Sequence, residues 1–238
     1  MTRGDLRILI EEIGIVPNVR PSSTADAVWT AATLRRGGLP LVEVTIAGTA
    51  TLDALSELAR GDRDCIVGAG NVMDVEMARC CVDRGARFLA SPGLDPDIVR
   101  LAVENDIVVI PGVLTPTEVM SAWRLRPDFL KVFPCSQVGG ASQIRAFKGP
   151  FPQVPFLAAG GVTQTTAAQF IQAGAVALCL GAELLPGDAI YFRDENRVLE
   201  LARRFLSIIR QARKASAPEI RLDPARPSLR PRSAVVLA

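Results

Sequence analysis

The sequence predicts an α/β protein: a (β/α)8 barrel of the TIM type, with a short helix before its first strand and an irregular tail after its last helix. Three observations carry this. Short apolar runs alternate with helix-period stretches eight times in the 238-residue chain, the pattern of consecutive βα units. Several of the intervening turns carry explicit helix-start chemistry. No GxGxxG follows the first strand, so an open dinucleotide-binding sheet fits less well than a closed barrel.

In chain order, residues 5–14 read as a helix able to cover the barrel floor. The eight strands are expected at 15–20, 40–45, 64–69, 87–90, 107–110, 129–133, 154–158 and 176–180, each an apolar run followed by a polar turn. Thr115-Pro-Thr-Glu118 is a capping box with proline at the first helical position, and Asp95-Pro96 repeats the cap-then-proline order. Ser23 to Asp26 and Asn71 to Asp74 are looser versions. Gly68-Ala-Gly70 follows a strand, but three residues of a glycine motif are weak grounds for a dinucleotide. The last helix is expected over 195–214. Composition then changes, with Pro224, Pro227 and Pro231 among Arg221, Arg226, Arg230 and Arg232. Residues 1–215 are thus expected to form the barrel. Residues 216–238 read as a tail or a strap over a neighbour, its Val235-Val-Leu237 end a docking element. A solvated, inert tail and a tether to an acidic partner, nucleic acid or membrane are the alternative readings of its arginines.

A net charge of +2 argues against a nucleic-acid binder. The N-terminal residues lack the apolar run of a signal peptide, and no stretch has the length of a membrane span, so a cytoplasmic, soluble protein is expected, with no membrane partner. The five cysteines, Cys65, Cys80, Cys81, Cys135 and Cys179, form no CxxC pair and are expected to be reduced. There is no histidine. That removes the commonest general base and the Ser-His and Cys-His nucleophile pairs, leaving acid–base work to Asp, Glu, Lys, Tyr or water.

Against 24 arginines the chain has three lysines, and one of them, Lys131, lies inside the apolar run Phe129-Leu-Lys-Val-Phe133. Alternation places Phe129, Lys131 and Phe133 on one face, toward the interior. Burial favours the neutral amine, which is a nucleophile able to form an imine, as arginine is not. The second strand repeats the anomaly. Leu41, Glu43 and Thr45 share a face, with Glu43 set between Val42 and Val44. One reading of the two ionisable groups is a buried Glu–Lys pair that neutralises itself. The other is a Schiff-base lysine beside a proton-shuttling carboxylate at the C-terminal mouth of the barrel.

The segments Leu41-Val-Glu-Val-Thr45, Ile66-Val-Gly-Ala-Gly70, Ser91-Pro-Gly93, Pro111-Gly-Val-Leu-Thr-Pro-Thr-Glu118, Leu130-Lys-Val-Phe-Pro134, Phe147-Lys-Gly-Pro-Phe-Pro152 and Gly160-Gly-Val162 occur in order. Together they resemble the 2-keto-3-deoxy-6-phosphogluconate (KDPG) and 4-hydroxy-2-oxoglutarate (KHG) aldolases, over residues 5–212. The resemblance implies a homotrimeric class I aldolase, a lyase of carbohydrate metabolism that needs neither metal nor cofactor. It would cleave a 2-keto-4-hydroxy acid, phosphorylated or not, to pyruvate and an aldehyde. Lys131 resembles the family's Schiff-base lysine and Glu43 its acid–base carboxylate. Arg20 matches an arginine near the anionic substrate, and Pro92 and Phe133 match residues around the imine. Thr45 is expected at the substrate with them.

The chain also departs from the family pattern. Ala47 and Asn71 stand where an arginine and a threonine hold the pyruvyl carboxylate, and Asn71 keeps a hydrogen-bond donor that Ala47 lacks. At the distal end Ala159 and Ala182 replace two hydroxyl-bearing residues, beside an added Glu183. Backbone amides around Gly160, Gly161 and Gly181 remain as an anion cradle. A catalytically idle barrel that binds a keto acid as sensor or scaffold is the alternative reading.

Overall fold

The computed structural model describes residues 1–61 and 65–216; the expected tail from 217 onward, with its arginines and prolines, lies outside the described residues, as does the start of the third predicted strand. The chain opens with α1 (Arg3–Ile13), where Thr2 and Asp5 form a reciprocal capping box and Gly14 closes the helix in the left-handed conformation at φ 73°. Strands and helices then alternate: β1 (Ile15–Val19), α2 (Thr24–Arg36), β2 (Leu41–Thr45), α3 (Thr49–Gly61), β3 (Ile66–Gly70), α4 (Val75–Asp83), β4 (Phe88–Ala90) and α5 (Pro96–Glu104). The second half continues with β5 (Val108–Ile110), β6 (Gly112–Val113), α6 (Pro116–Trp123), β7 (Leu130–Val132), α7 (Ala141–Lys148), β8 (Phe156–Ala159), α8 (Ala167–Gln172), β9 (Ala175–Leu180), α9 (Gly187–Tyr191) and α10 (Glu195–Ser216).

All pairings are parallel, in the order β5-β4-β3-β2-β1-β9-β8-β7-β6. The two ends of that order are consecutive in the chain, because β5 and β6 are halves of one barrel strand. Pro111 separates them. It has no N–H to give, and the next donor, Gly112, turns to the Gly93 carbonyl at 3.2 Å. The other side of the same strand accepts from Phe129, Lys131 and Phe133 through Val109, Pro111 and Val113, at 3.4, 2.9 and 3.3 Å. The sheet thereby closes into the predicted (β/α)8 barrel.

The helix-start chemistry forms as read for Ser23, Asp95 and Thr115, each accepting from a backbone N–H of its helix's first turn. It differs at α4. There Asp74 is the cap, and Asn71 lies earlier, in the left-handed region at φ 59°. Inside the barrel, Val16, Leu41, Phe88, Val108, Ile110, Phe129, Leu157 and Ala177 form a buried cluster with Leu6 and Ile10 of α1. The first helix thus seals the N-terminal end of the barrel. Asp128 fixes it there, accepting Arg3 Nε at 2.9 and 3.0 Å and the Val109 N–H at 2.9 Å.

Candidate active site

Polar groups concentrate at the opposite, C-terminal end of the strands. Glu43 is only 2% exposed and Lys131 7% exposed, each the central residue of its strand with an apolar residue on either side. Register sets Glu43 between Asn18 and Gly68, and Lys131 between Gly112 and Leu157. Gly70 explains how a carboxylate fits inside so small a barrel. A Cβ on Gly70 would overlap the Glu43 carboxyl, as one on Gly68 would overlap the Phe88 ring. The glycines in the C-terminal half of β3 therefore make room for side chains and carry no nucleotide signature.

A cavity of about 500 Å³ opens above these residues. Asn18, Glu43, Lys131 and Cys179 line its depth, and Arg20 and Phe133 stand on its walls. At the distal end two glycine-bearing loops face it, Ala159 to Thr163 and Gly181 to Glu183, with Leu185 and Ile190 beside them. Lys131 Nζ lies 5.6 Å from the centroid of the Phe133 ring. Gly160 and Gly161 have φ of 85° and 78°, and a side chain on Gly161 would meet Ser136. Only glycine lets that loop approach so closely.

Asn18 Nδ2 donates to Glu43 Oε1 at 2.5 Å, and Thr45 Oγ1 donates to Asn18 Oδ1 at 2.8 Å. Glu43 Oε2 is buried without a hydrogen-bond partner. Burial pushes the Glu43 carboxyl above the ordinary carboxylate range, with the Lys131 charge, the Asn18 bond and the Arg20 charge acting against it. Burial, reinforced by the Glu43 charge, also raises the Cys179 thiol to about 12. No ion pair within 4.0 Å joins Glu43 to Lys131 among the described residues. The self-neutralised contact pair, one of the two readings open from sequence, is therefore not formed.

Of the residues singled out in the sequence, Arg20, Glu43, Lys131, Phe133, Gly160, Gly161 and Gly181 line this one cavity. Thr45, Asn71 and Pro92 do not. Thr45 reaches it through Asn18. Asn71 is exposed and spends an amide hydrogen on the Ile46 carbonyl at 3.0 Å, and Pro92 sets its carbonyl against Gly112. Sequence reading missed Asn18 and Cys179. The signal was available, since stepping back two residues from Arg20 along an alternating strand leads to Asn18, a polar residue in an apolar run.

Fold and site together define a (β/α)8 barrel with a lysine and a carboxylate buried in its mouth. The sequence profile of the KDPG and KHG aldolase family matches residues 7–201, and the chain belongs to that family, whose members are lyases. It is 33% identical over 190 residues to the KHG/KDPG aldolase of Escherichia coli (strain K12), covering 79% of this chain and 89% of that protein. It is 29% identical over 200 residues to the 2-dehydro-3-deoxy-phosphogluconate aldolase of Treponema pallidum, covering 84% and 95%. Among solved structures, KDPG aldolase from Legionella pneumophila, with pyruvate captured as a covalent carbinolamine intermediate, superposes with a TM-score of 0.78 at 27% identity, covering 83% of this chain and 96% of that one.

Proposed function

We propose that this protein is a class I aldolase that cleaves a 2-keto-4-hydroxy acid to pyruvate and an aldehyde. One observation carries the reading: Lys131 and Glu43 line the same cavity, close enough for the charge of one to act on the other but with no contact ion pair between them. The Lys131 amine attacks the C2 carbonyl, neutral Glu43 gives its proton to the departing hydroxyl, and loss of water from the carbinolamine leaves a protonated imine and an ionised Glu43. That imine withdraws the C3–C4 bonding electrons, so cleavage leaves an enamine instead of a bare carbanion. Glu43, with a carboxyl displaced toward neutrality, takes the C4 hydroxyl proton and returns a proton to C3. Hydrolysis then frees pyruvate.

Arg20 supplies positive charge for an anionic substrate, and the backbone of Gly160, Gly161 and Gly181 lines the distal end. Ala159, Ala182, Leu185 and Ile190 bring no hydroxyl there, Thr163 brings one, and Glu183 brings a negative charge. A non-phosphorylated substrate suits that lining better than a phosphate ester. Family resemblance supports a homotrimer acting in cytoplasmic carbohydrate metabolism, and light scattering on the purified protein reads its mass.

The decisive experiment incubates the protein with pyruvate and borohydride and maps the reduced adduct by mass. An adduct at Lys131, absent from a Lys131→Ala variant, is the expected result. No adduct at Lys131 sinks the assignment. Retro-aldol assays on phosphorylated and plain 2-keto-4-hydroxy acids then decide the distal group.

A further inference from the structure

Asn18 has no part in the mechanism above, yet its amide stands between two groups of the site. It lies on β1 directly opposite Glu43 on β2, and Thr45 is the next inward residue along β2. Nδ2 donates to Glu43 Oε1 at 2.5 Å while Oδ1 accepts from Thr45 Oγ1 at 2.8 Å. Oε2 of the same carboxyl is buried and takes no partner from the protein. Glu43 is a lining residue of the cavity, and a buried polar atom without a protein partner calls for an explanation, a catalytic role being one.

These bonds decide where a proton can sit. A neutral carboxyl carries its hydrogen on one oxygen only. While Nδ2 donates to Oε1, Oε1 must act as acceptor, so the hydrogen of neutral Glu43 resides on Oε2. Rotating the Asn18 amide by half a turn would set Oδ1 against Oε1, which repels the ionised carboxylate and draws the hydrogen of the neutral acid to the wrong oxygen. In the orientation observed, the Thr45 hydroxyl donates to Oδ1 and holds the far end of the amide.

We infer that Asn18, supported by Thr45, is a positioning residue that reserves Oε1 of Glu43 as a fixed acceptor and leaves Oε2 as the oxygen that takes and returns the proton. The inference rests on the aldolase reading. In cleavage, Oε2 of ionised Glu43 accepts the C4 hydroxyl proton as the C3–C4 electrons pass into the iminium. The enamine and aldehyde form together. The hydrogen on Oε2 then goes to C3 of the enamine, and Glu43 is again ionised. The charged and titratable groups facing Glu43 are Lys131 on β7, Arg20 beyond the end of β1 and Cys179 on β9; Glu183, beyond β9, lines the same cavity.

Exchange of the pyruvate methyl protons in D2O, followed by NMR, tests this without knowledge of the aldehyde half, because it needs only imine formation and proton removal at C3. The full-length protein and its Asn18→Leu, Thr45→Val and Thr45→Ser variants are compared across pH, with borohydride trapping in parallel. In Asn18→Leu the Lys131 adduct still forms, exchange slows on the order of 10- to 100-fold, and the acidic limb moves to higher pH because a donor favouring the ionised carboxylate is gone. Thr45→Val moves the limb the same way by less, and Thr45→Ser restores it. An Asn18→Leu protein that traps pyruvate but exchanges with the wild-type profile overturns the inference alone. If Asn18→Leu does not fold, identical profiles for Thr45→Val and Thr45→Ser overturn it. Failure of the unmodified protein to trap pyruvate removes the aldolase reading and this inference with it.

Discussion

Glu43 illustrates how function is bought with stability at a single residue. Its carboxyl titrates above the ordinary range in the folded protein because it is buried. The folded state therefore holds a proton that the unfolded chain has already released, and stability falls as pH rises from the ordinary carboxylate value toward the folded one. A Glu43→Gln variant should lose that decline. We expect it to unfold at a higher temperature than the unmodified protein at pH 8, with the difference shrinking toward pH 4, while retro-aldol turnover drops by roughly 10²- to 10⁴-fold, the usual worth of a general acid–base group. Thermal scans at the two pH values with parallel assays check both halves. Lys131→Arg separates charge from chemistry at the other residue. It keeps a cation facing the carboxylate but cannot form an imine, so trapping with pyruvate and borohydride should vanish in a protein that still folds.

Among the elements, the glycine-bearing strand ends and loops carry the site as much as the charged side chains do. Gly70→Ala would push a methyl group into the space of the Glu43 carboxyl. Overpacking of this kind costs about 1–3 kcal/mol, read by urea titration, and here it should also displace the carboxylate and depress turnover. Gly161→Ala meets Ser136 while forced to hold a left-handed backbone, and a stability loss of about 1–2 kcal/mol is expected from that conformation alone. Lys131 and Glu43 were legible in the sequence because burial of an ionisable group in an apolar strand breaks a strict alternation. The capping box at Thr115 and the cap at Asp95 were legible because their chemistry is local. The split at Pro111 was not, since it depends on which neighbour Gly112 bonds. Nor was the true position of Asn71, whose amide is captured by a carbonyl from another loop. Contacts of that kind are set by tertiary closure, which no short window of residues encodes.

On the scale of the whole molecule, the two chain ends described are tied together at the floor of the barrel. Arg213 of α10 donates to the carbonyls of Glu11, Glu12 and Val176, at 2.5, 2.6 and 2.8 Å, joining α10, α1 and β9. Hydrogen bonds from a charged donor are worth about 1.5–3 kcal/mol, so Arg213→Ala should lower the urea midpoint by a corresponding amount while leaving pyruvate trapping intact. The floor itself, made by Leu6 and Ile10 pressed against the interior cluster, has a further consequence. A barrel stoppered at one end has a single doorway. Substrate enters and both products leave at the C-terminal mouth, and pyruvate, held by its covalent bond, is free to go only after the imine is hydrolysed. The eleven residues of α1 thus direct all traffic to the end of the barrel where the chemistry lies.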